Sequence, residues 1–224
     1  MTNVVVDNIE KLRIAKGLTQ KNVADILGIT RATYNKVENG TRELTTSELI
    51  NLSLYFDVPV AELFDQPRDV EKFQQMYFYI LSNFKDGVPK TKLAKLLYLA
   101  DFSYFYENLE SMSGVRYRHR QYGPVADVFF EVTDDLHERG KIDMEKKGET
   151  YLIRPTSKQE TYLLSAAETE LLDKIVEYWK DKRTAEIVNF THEQKPWKGC
   201  REGEYIPYSL IIQEEPDHVY APIN

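Results

Sequence analysis

The sequence predicts a mainly α-helical chain: a five-helix domain over residues 1–66, then a larger, mostly helical domain that carries one small β-hairpin. Three observations lead there. Residues suited to capping helices recur at short intervals up to residue 66, the stretch after residue 90 is apolar on nearly every side, and alternating segments flank a single Lys147-Gly148 turn.

The elements follow in order. Ile9 and Leu12 mark a first helix. Thr19 caps a second, with Val23, Ala24, Ile26 and Leu27, that ends at Gly28. Thr30 caps a third, whose Tyr34 and Val37 fall on one face before Asn39-Gly40, a pair suited to left-handed backbone. Thr45 with Glu48 forms a capping box for a fourth through Leu49, Leu52 and Phe56, and Pro59 to Phe64 closes the unit. DQPRDV, residues 65–70, has a proline, three charges and no apolar periodicity, so the domain boundary falls there, with a linker at 67–71.

Beyond the linker the period lengthens. Residues 70–84 are aromatic-rich and helical, and DGVPK reads as a turn. Residues 91–108 form a helix greasy all round, which belongs at the centre of a domain. Tyr122-Gly123-Pro124 reads as a sharp entry to a helix with proline at its first position; Val125, Val128, Phe129, Val132 and Leu136 share its face and Gly140 ends it. Residues 142–146 and 151–154 make the hairpin. Ser165 and Glu168 cap a helix through Leu171, Leu172, Ile175, Val176 and Trp179, another begins near Thr184, and residues 213–224 are expected to be an irregular tail.

Composition excludes several classes. One cysteine, Cys200, rules out an intramolecular disulfide framework and a cysteine-cluster zinc site. No apolar run approaches the roughly 18–20 residues of a spanning helix, and MTNVVVDNIEK lacks a signal segment, so a cytoplasmic protein is expected. His119, His137, His192 and His218 show no metal-ligand spacing, and His192 with Cys200 lacks a third orienting group, so neither an enzyme nor a cofactor is expected. His192 is read as a helix-end cap and Trp197 as core.

The net charge of −7 hides a local patch. Between Lys11 and Arg42, seven basic residues face only Asp25 and Glu38; residues 43–66 hold five acids and no base, and residues 67–224 have 22 basic and 27 acidic residues. The positive field is confined to one short segment.

Leu18-Thr19-Gln20, Ala24, Gly28, Thr30 and Glu38-Asn39-Gly40 have the spacing of a helix-turn-helix, in which a tight turn lets a second helix enter a major groove about 12 Å wide. Residues 6–64 resemble the phage-repressor family of such domains. That resemblance places Arg31, Ala32 and Lys36 at base-facing positions with Thr33 nearby, gives phosphate contacts to Gln20, Asn39 and Arg42, and makes Arg13 and Glu38 an internal ion pair. It also implies a homodimer on a two-half-site operator.

KLLYLADFSYFYENLESMSGVRYRHRQYGPVADVFFEV and the later THEQKPWKG resemble the Panacea domain, a family of antitoxin domains, over residues 72–212. The marks are the LLYLAD helix, the Tyr-Gly-Pro-Val entry and the His-x-x-x-Pro-Trp segment. The resemblance implies a type II antitoxin that binds a toxin encoded by an adjacent gene, and Arg116, Arg118, Arg120 and Tyr122 are the candidate toxin contacts. A bland reading of that loop has its tyrosines as anchors and its arginines in solvent. A plain regulator with a sensory second domain, or an adaptor that delivers its partner to a protease, are the alternatives.

Overall fold

In a computed structural model, residues 4–58, 60–64, 68–157 and 161–221 are described. The chain divides into two compact units, Met1–Pro67 and Arg68–Asn224. Of the expected linker and its surroundings, Pro59 and residues 65–67 lie outside the described residues, as do residues 222–224 of the expected tail.

The first unit consists of α1 (Val4–Ala15), α2 (Gln20–Leu27), α3 (Arg31–Glu38) and α4 (Thr46–Phe56), with the expected fifth helix present as a short 3-10 helix, Val60–Phe64. Its ends are written locally. Thr19 accepts from the Asn22 amide, Thr30 from Thr33 and Thr45 from Glu48, each satisfying a donor that the first helical turn leaves open. Gly28 adopts φ +67°, and the next amide, Ile29, returns to the Ala24 carbonyl, which stops α2 and lets Thr30 start α3 at once. The core is Val6, Ile9, Val23, Ala24, Tyr34, Val37, Leu52, Phe56 and Leu63.

One polar contact braces three of these helices. Glu38, at the end of α3, accepts from Arg13 Nε of α1 at 2.8 Å and from Gln20 Nε2 of α2 at 2.6 Å. Arg13 also donates to the Leu18 carbonyl and to Glu10. The expected internal pair is thus present.

The second unit is organised around α6 (Lys90–Asn108), in which residues 92–103 are buried without interruption. It packs against α5 (Val70–Ser82), α8 (Ala166–Trp179), α9 (Thr184–Glu193) and a 3-10 segment, Tyr208–Gln213. Two three-stranded antiparallel sheets complete the shell. One joins β1 (Val88–Pro89), β5 (Thr150–Pro155) and β4 (Ile142–Lys147) in the order β1-β5-β4, so the expected hairpin is extended by a strand where a plain turn was expected.

The other sheet corrects the sequence reading. Gly123–Ala126 is a strand, β3, paired with β2 (Tyr117–Arg120), which pairs in turn with β6 (Tyr205–Ile206). The helix expected to start at Pro124 starts instead at Phe129 and runs to Glu138 as α7, ended by Gly140 at φ +65°. Proline without an N–H suits a helix start, but it suits an edge strand equally well, and β3 is the edge. Gly123, at φ +93°, is needed for another reason: a Cβ there would stand 2.7 Å from Lys95 Cε and 2.9 Å from His192 Nε2.

The end of the chain is irregular but anchored. α10 (Lys195–Lys198) is followed by β6 and the short 3-10 segments Tyr208–Gln213 and Pro216–His218. Trp179 Nε1 donates to the Tyr220 carbonyl, Gln194 Nε2 to those of His218 and Val219, and Val219 is buried.

Replacing Glu38 with alanine should destabilise the first unit by about 2–4 kcal/mol, because the half-buried Arg13 keeps its charge with only the more exposed Glu10 as its carboxylate partner and Gln20 loses its acceptor. Both tryptophans, Trp179 and Trp197, lie in the second unit. Urea unfolding of the full chain should therefore show an earlier transition in far-ultraviolet circular dichroism with tryptophan fluorescence unchanged.

Candidate nucleic-acid interface and partner site

In the first unit the exposed face of α3 carries Arg31, Ala32, Asn35 and Lys36, with Asn39 just past its end. Tyr34 and Val37 point the other way into the core, which fixes the helix's rotation. Among the described residues neither Arg31 nor Lys36 has an acidic partner. Arg31 also lines a groove of about 440 Å³ with Arg13, Thr19, Gln20 and Lys21, so cationic side chains of two helices and of the α3 start meet at one surface.

The remaining expected contacts are already engaged. Thr33 is half-buried, with its hydroxyl 2.9 Å from that of Thr30. Gln20 spends its amide on Glu38, and Arg42 donates to Glu48 Oε1 at 2.8 Å, where Glu48 also caps α4. Hydrogen bonds from Arg42 and Thr45 hold the Glu48 carboxyl below its ordinary range against the opposing pull of burial. Asn39 Nδ2 donates to Asn35 Oδ1 at 2.8 Å. Asn35 is the residue the sequence reading passed over; its signal was the i, i+4 step from Arg31 on the same face.

In the second unit the structure divides the four candidate toxin contacts into two pairs. Arg116 and Arg118 place their guanidinium carbons 4.1 and 3.9 Å from the centre of the Tyr205 ring. Arg118 also donates to the Tyr205 hydroxyl and the Gly203 carbonyl, and Arg116 faces Asp127 at 3.6 Å. These two hold β6 in place. Arg120 and Tyr122 stand exposed at the tip of the β2–β3 hairpin. The tip borders a cleft of about 540 Å³, whose lining includes Lys90, Lys95, Arg120, Tyr122, Phe130 and Tyr151.

Behind the hairpin the three sequence marks of the second domain meet. Lys95, from the segment leading into LLYLAD, is fully buried and donates to the Pro124 carbonyl at 2.8 Å. His192 and His119 both stack on the Trp197 indole, with ring centres 4.1 and 4.2 Å away. His192 is therefore a packing residue rather than a helix-end cap. Burial pulls Lys95 down to about 7, and burial together with the nearby Lys95 charge lowers His192. Asp101, at the end of the same mark, accepts from the Ser113 amide and hydroxyl and from the Tyr117 hydroxyl; burial raises it to about 6 although those bonds oppose the shift.

Cys200 is half-buried, and burial pushes its thiol up, away from nucleophilic character. Among the described residues no group of histidine, cysteine or carboxylate side chains is placed to hold a metal ion, and no helix is long and apolar enough to cross a membrane.

Comparison with known proteins gives a match in each of the two units. A helix-turn-helix family model matches residues 9–63, and the model described as antitoxin SocA-like, Panacea domain, matches residues 93–198. An uncharacterized HTH-type transcriptional regulator, YqaE of Bacillus subtilis (strain 168), is 39% identical over 88 residues, covering 39% of this chain and 72% of that protein. The chain belongs to the helix-turn-helix family, and its second unit carries an antitoxin SocA-like Panacea domain. No solved structure matches it at a significant level. It is a DNA-binding helix-turn-helix regulator with an antitoxin-like domain. The Panacea match contains Lys95, Asp101, Gly123, Pro124, His192 and Trp197, so the residues that converge behind the hairpin all lie inside it.

The Lys95 amine supplies a pH test. An unfolded lysine titrates near 10.4, so from about pH 7 to 10 the unfolded chain binds one more proton at this side chain than the folded chain does. Stability of the second unit should rise with pH over 7–9, by at most about 1.4 kcal/mol per unit, before the buried tyrosines begin to titrate. Lys95→Met should remove that rise in urea titrations followed by tryptophan fluorescence.

Proposed function

We propose that the chain is the antitoxin of a type II toxin–antitoxin pair: the Panacea unit neutralises a toxin by direct binding, and the helix-turn-helix unit represses their shared operon. The observation that carries this reading is the union, in one chain, of an α3 face with unpaired Arg31 and Lys36 and an antitoxin-like domain that presents an exposed hairpin tip. Charge supports the division. The patch of +5 lies wholly in the first unit, and the residues from 67 onward sum to −5. A mildly acidic domain gains encounter rate with a basic toxin surface and repels nucleic acid.

On the operator, Arg31, Lys36 and the added Asn35 contact base edges, with Ala32 giving a methyl contact and Thr33 beside it. Gln20, Asn39 and Arg42 are the proposed phosphate contacts; Gln20 and Arg42 act mainly through the internal bonds to Glu38 and Glu48 that fix the surface. The protein acts as a homodimer on half-sites about 34 Å apart. An exposed apolar face supports self-association: Ile50, Leu54 and Tyr55 of α4, with Leu54 74% exposed, and Phe64 beyond them.

Two measurements test this. Arg31→Ala and Lys36→Ala should each weaken retardation of the upstream DNA by about 1–3 kcal/mol and together abolish it, while toxin neutralisation stays intact. Because counterion release dominates affinity, wild-type binding should fall steeply with salt. Expression of the adjacent open reading frame alone should stop growth, and adding this protein should restore it. A harmless neighbour would favour a plain regulator instead, and a shortened half-life of the neighbour would favour a proteolytic adaptor.

A further inference from the structure

We infer that the cleft beside the β2–β3 hairpin is the toxin-docking surface, and that it receives a large apolar side chain of the toxin with a carboxylate next to it. This inference rests on the antitoxin reading above. Its ground is the distribution of exposed apolar groups. Among the described residues of the second unit, seven large apolar side chains are exposed: Val70, Leu109, Tyr122, Phe130, Tyr151, Tyr162 and Ile212. Single exposed groups need no explanation, but Tyr122, Phe130 and Tyr151 come from three different elements and line one cleft. A concave patch ringed by aromatic side chains with an arginine at its edge is the composition that concentrates binding energy at protein interfaces.

The charges define the occupant. Arg120 is exposed and has no acidic partner among the described residues. Lys90 lies 5.1 Å above the Phe130 ring, and its nearest acid, Asp134, is 4.0 Å away and largely solvated, so that pair is weak. Below them Lys95 is buried with no carboxylate beside it. Glu149 and Glu202 also border the cleft, and, like Arg120, both are exposed, so in the free protein water screens all three charges. A carboxylate brought in beside an apolar anchor would meet Arg120 and Lys90 as those groups lose their water. Nucleic acid is a poor fit, because the unit's net charge is negative and its anionic backbone would face that field along the whole contact.

The surface is also held ready. Lys95 fixes the Pro124 carbonyl, and Gly123 packs so closely on Lys95 and His192 that the hairpin tip has little room to move. A rim fixed before binding saves the ordering cost that a mobile loop would incur.

The experiment uses the full chain and the toxin encoded next to it. Tyr122→Ala, Phe130→Ala and Tyr151→Ala should each weaken the complex by about 30-fold, and Arg120→Glu by at least as much, with operator retardation and tryptophan fluorescence unchanged. Leu109→Ala and Ile212→Ala, away from the cleft, should bind as wild type. With p-benzoylphenylalanine at position 122, irradiation should yield an adduct with the toxin. Wild-type affinity in all four cleft variants would overturn this inference and leave the antitoxin reading intact. An adduct with a second copy of the chain or with RNA would likewise overturn it. A neighbouring gene product that is harmless would overturn the antitoxin reading and the docking surface with it.

Discussion

A helix buried on every side sets the terms for the second unit. α6 has water on neither flank between residues 92 and 103, so its backbone bonds close internally and its ionisable side chains need partners inside the fold. Three of them find carbonyls or donors on distant parts of the chain. Lys92 donates to the Lys180 and Lys182 carbonyls where α8 ends, Lys95 to Pro124 on the edge strand, and Asp101 gathers Ser113 and Tyr117. The apolar surface draws elements to α6 without direction. These polar contacts give direction, because a misplaced α8 or β3 would leave a buried amine without its hydrogen bond.

The same logic runs on a smaller scale in the first unit. Glu38 takes two donors from two other helices, so the angle between α3 and its neighbours is set by hydrogen bonds as well as by the packing of Tyr34 and Val37. The residues that brace the helix and those that face outward alternate along it by the helical period. Eight residues therefore serve both purposes, and the surface is rigid although the helix is short.

How much of this could be read from the sequence depended on range. The caps at Thr19, Thr30, Thr45 and Ser165 were legible because each bond spans three residues. So were the all-round apolar α6 and the β4–β5 hairpin, whose turn chemistry is local. The β3-β2-β6 sheet was not: its third strand comes more than 80 residues after the second, and Gly-Pro carries one local message that serves a helix start or an edge strand alike. At the candidate sites, the types of Arg31, Lys36, Arg120 and Tyr122 were legible. The commitment of Gln20 to Glu38, of Arg42 to Glu48, and of Arg116 and Arg118 to Tyr205 was not, since it depends on which residues folding brings near.

That sorting bears on what the arginines of RYRHRQYGP can do. Side chains alternate across a strand: Arg118 is paired in register with Tyr205 and bonds to Gly203 before it, and Arg116, two residues earlier and just outside β2, lies over the same Tyr205 ring. Arg120 lies two residues further along, beyond the last β2–β6 pair, where no third strand remains to engage it. A sequence run that looks like one basic patch is thus cut by the end of β6 into a structural part and a free part. The short length of β6 leaves Arg120 and Tyr122 available at the hairpin tip, while the arginines before them hold that tip still.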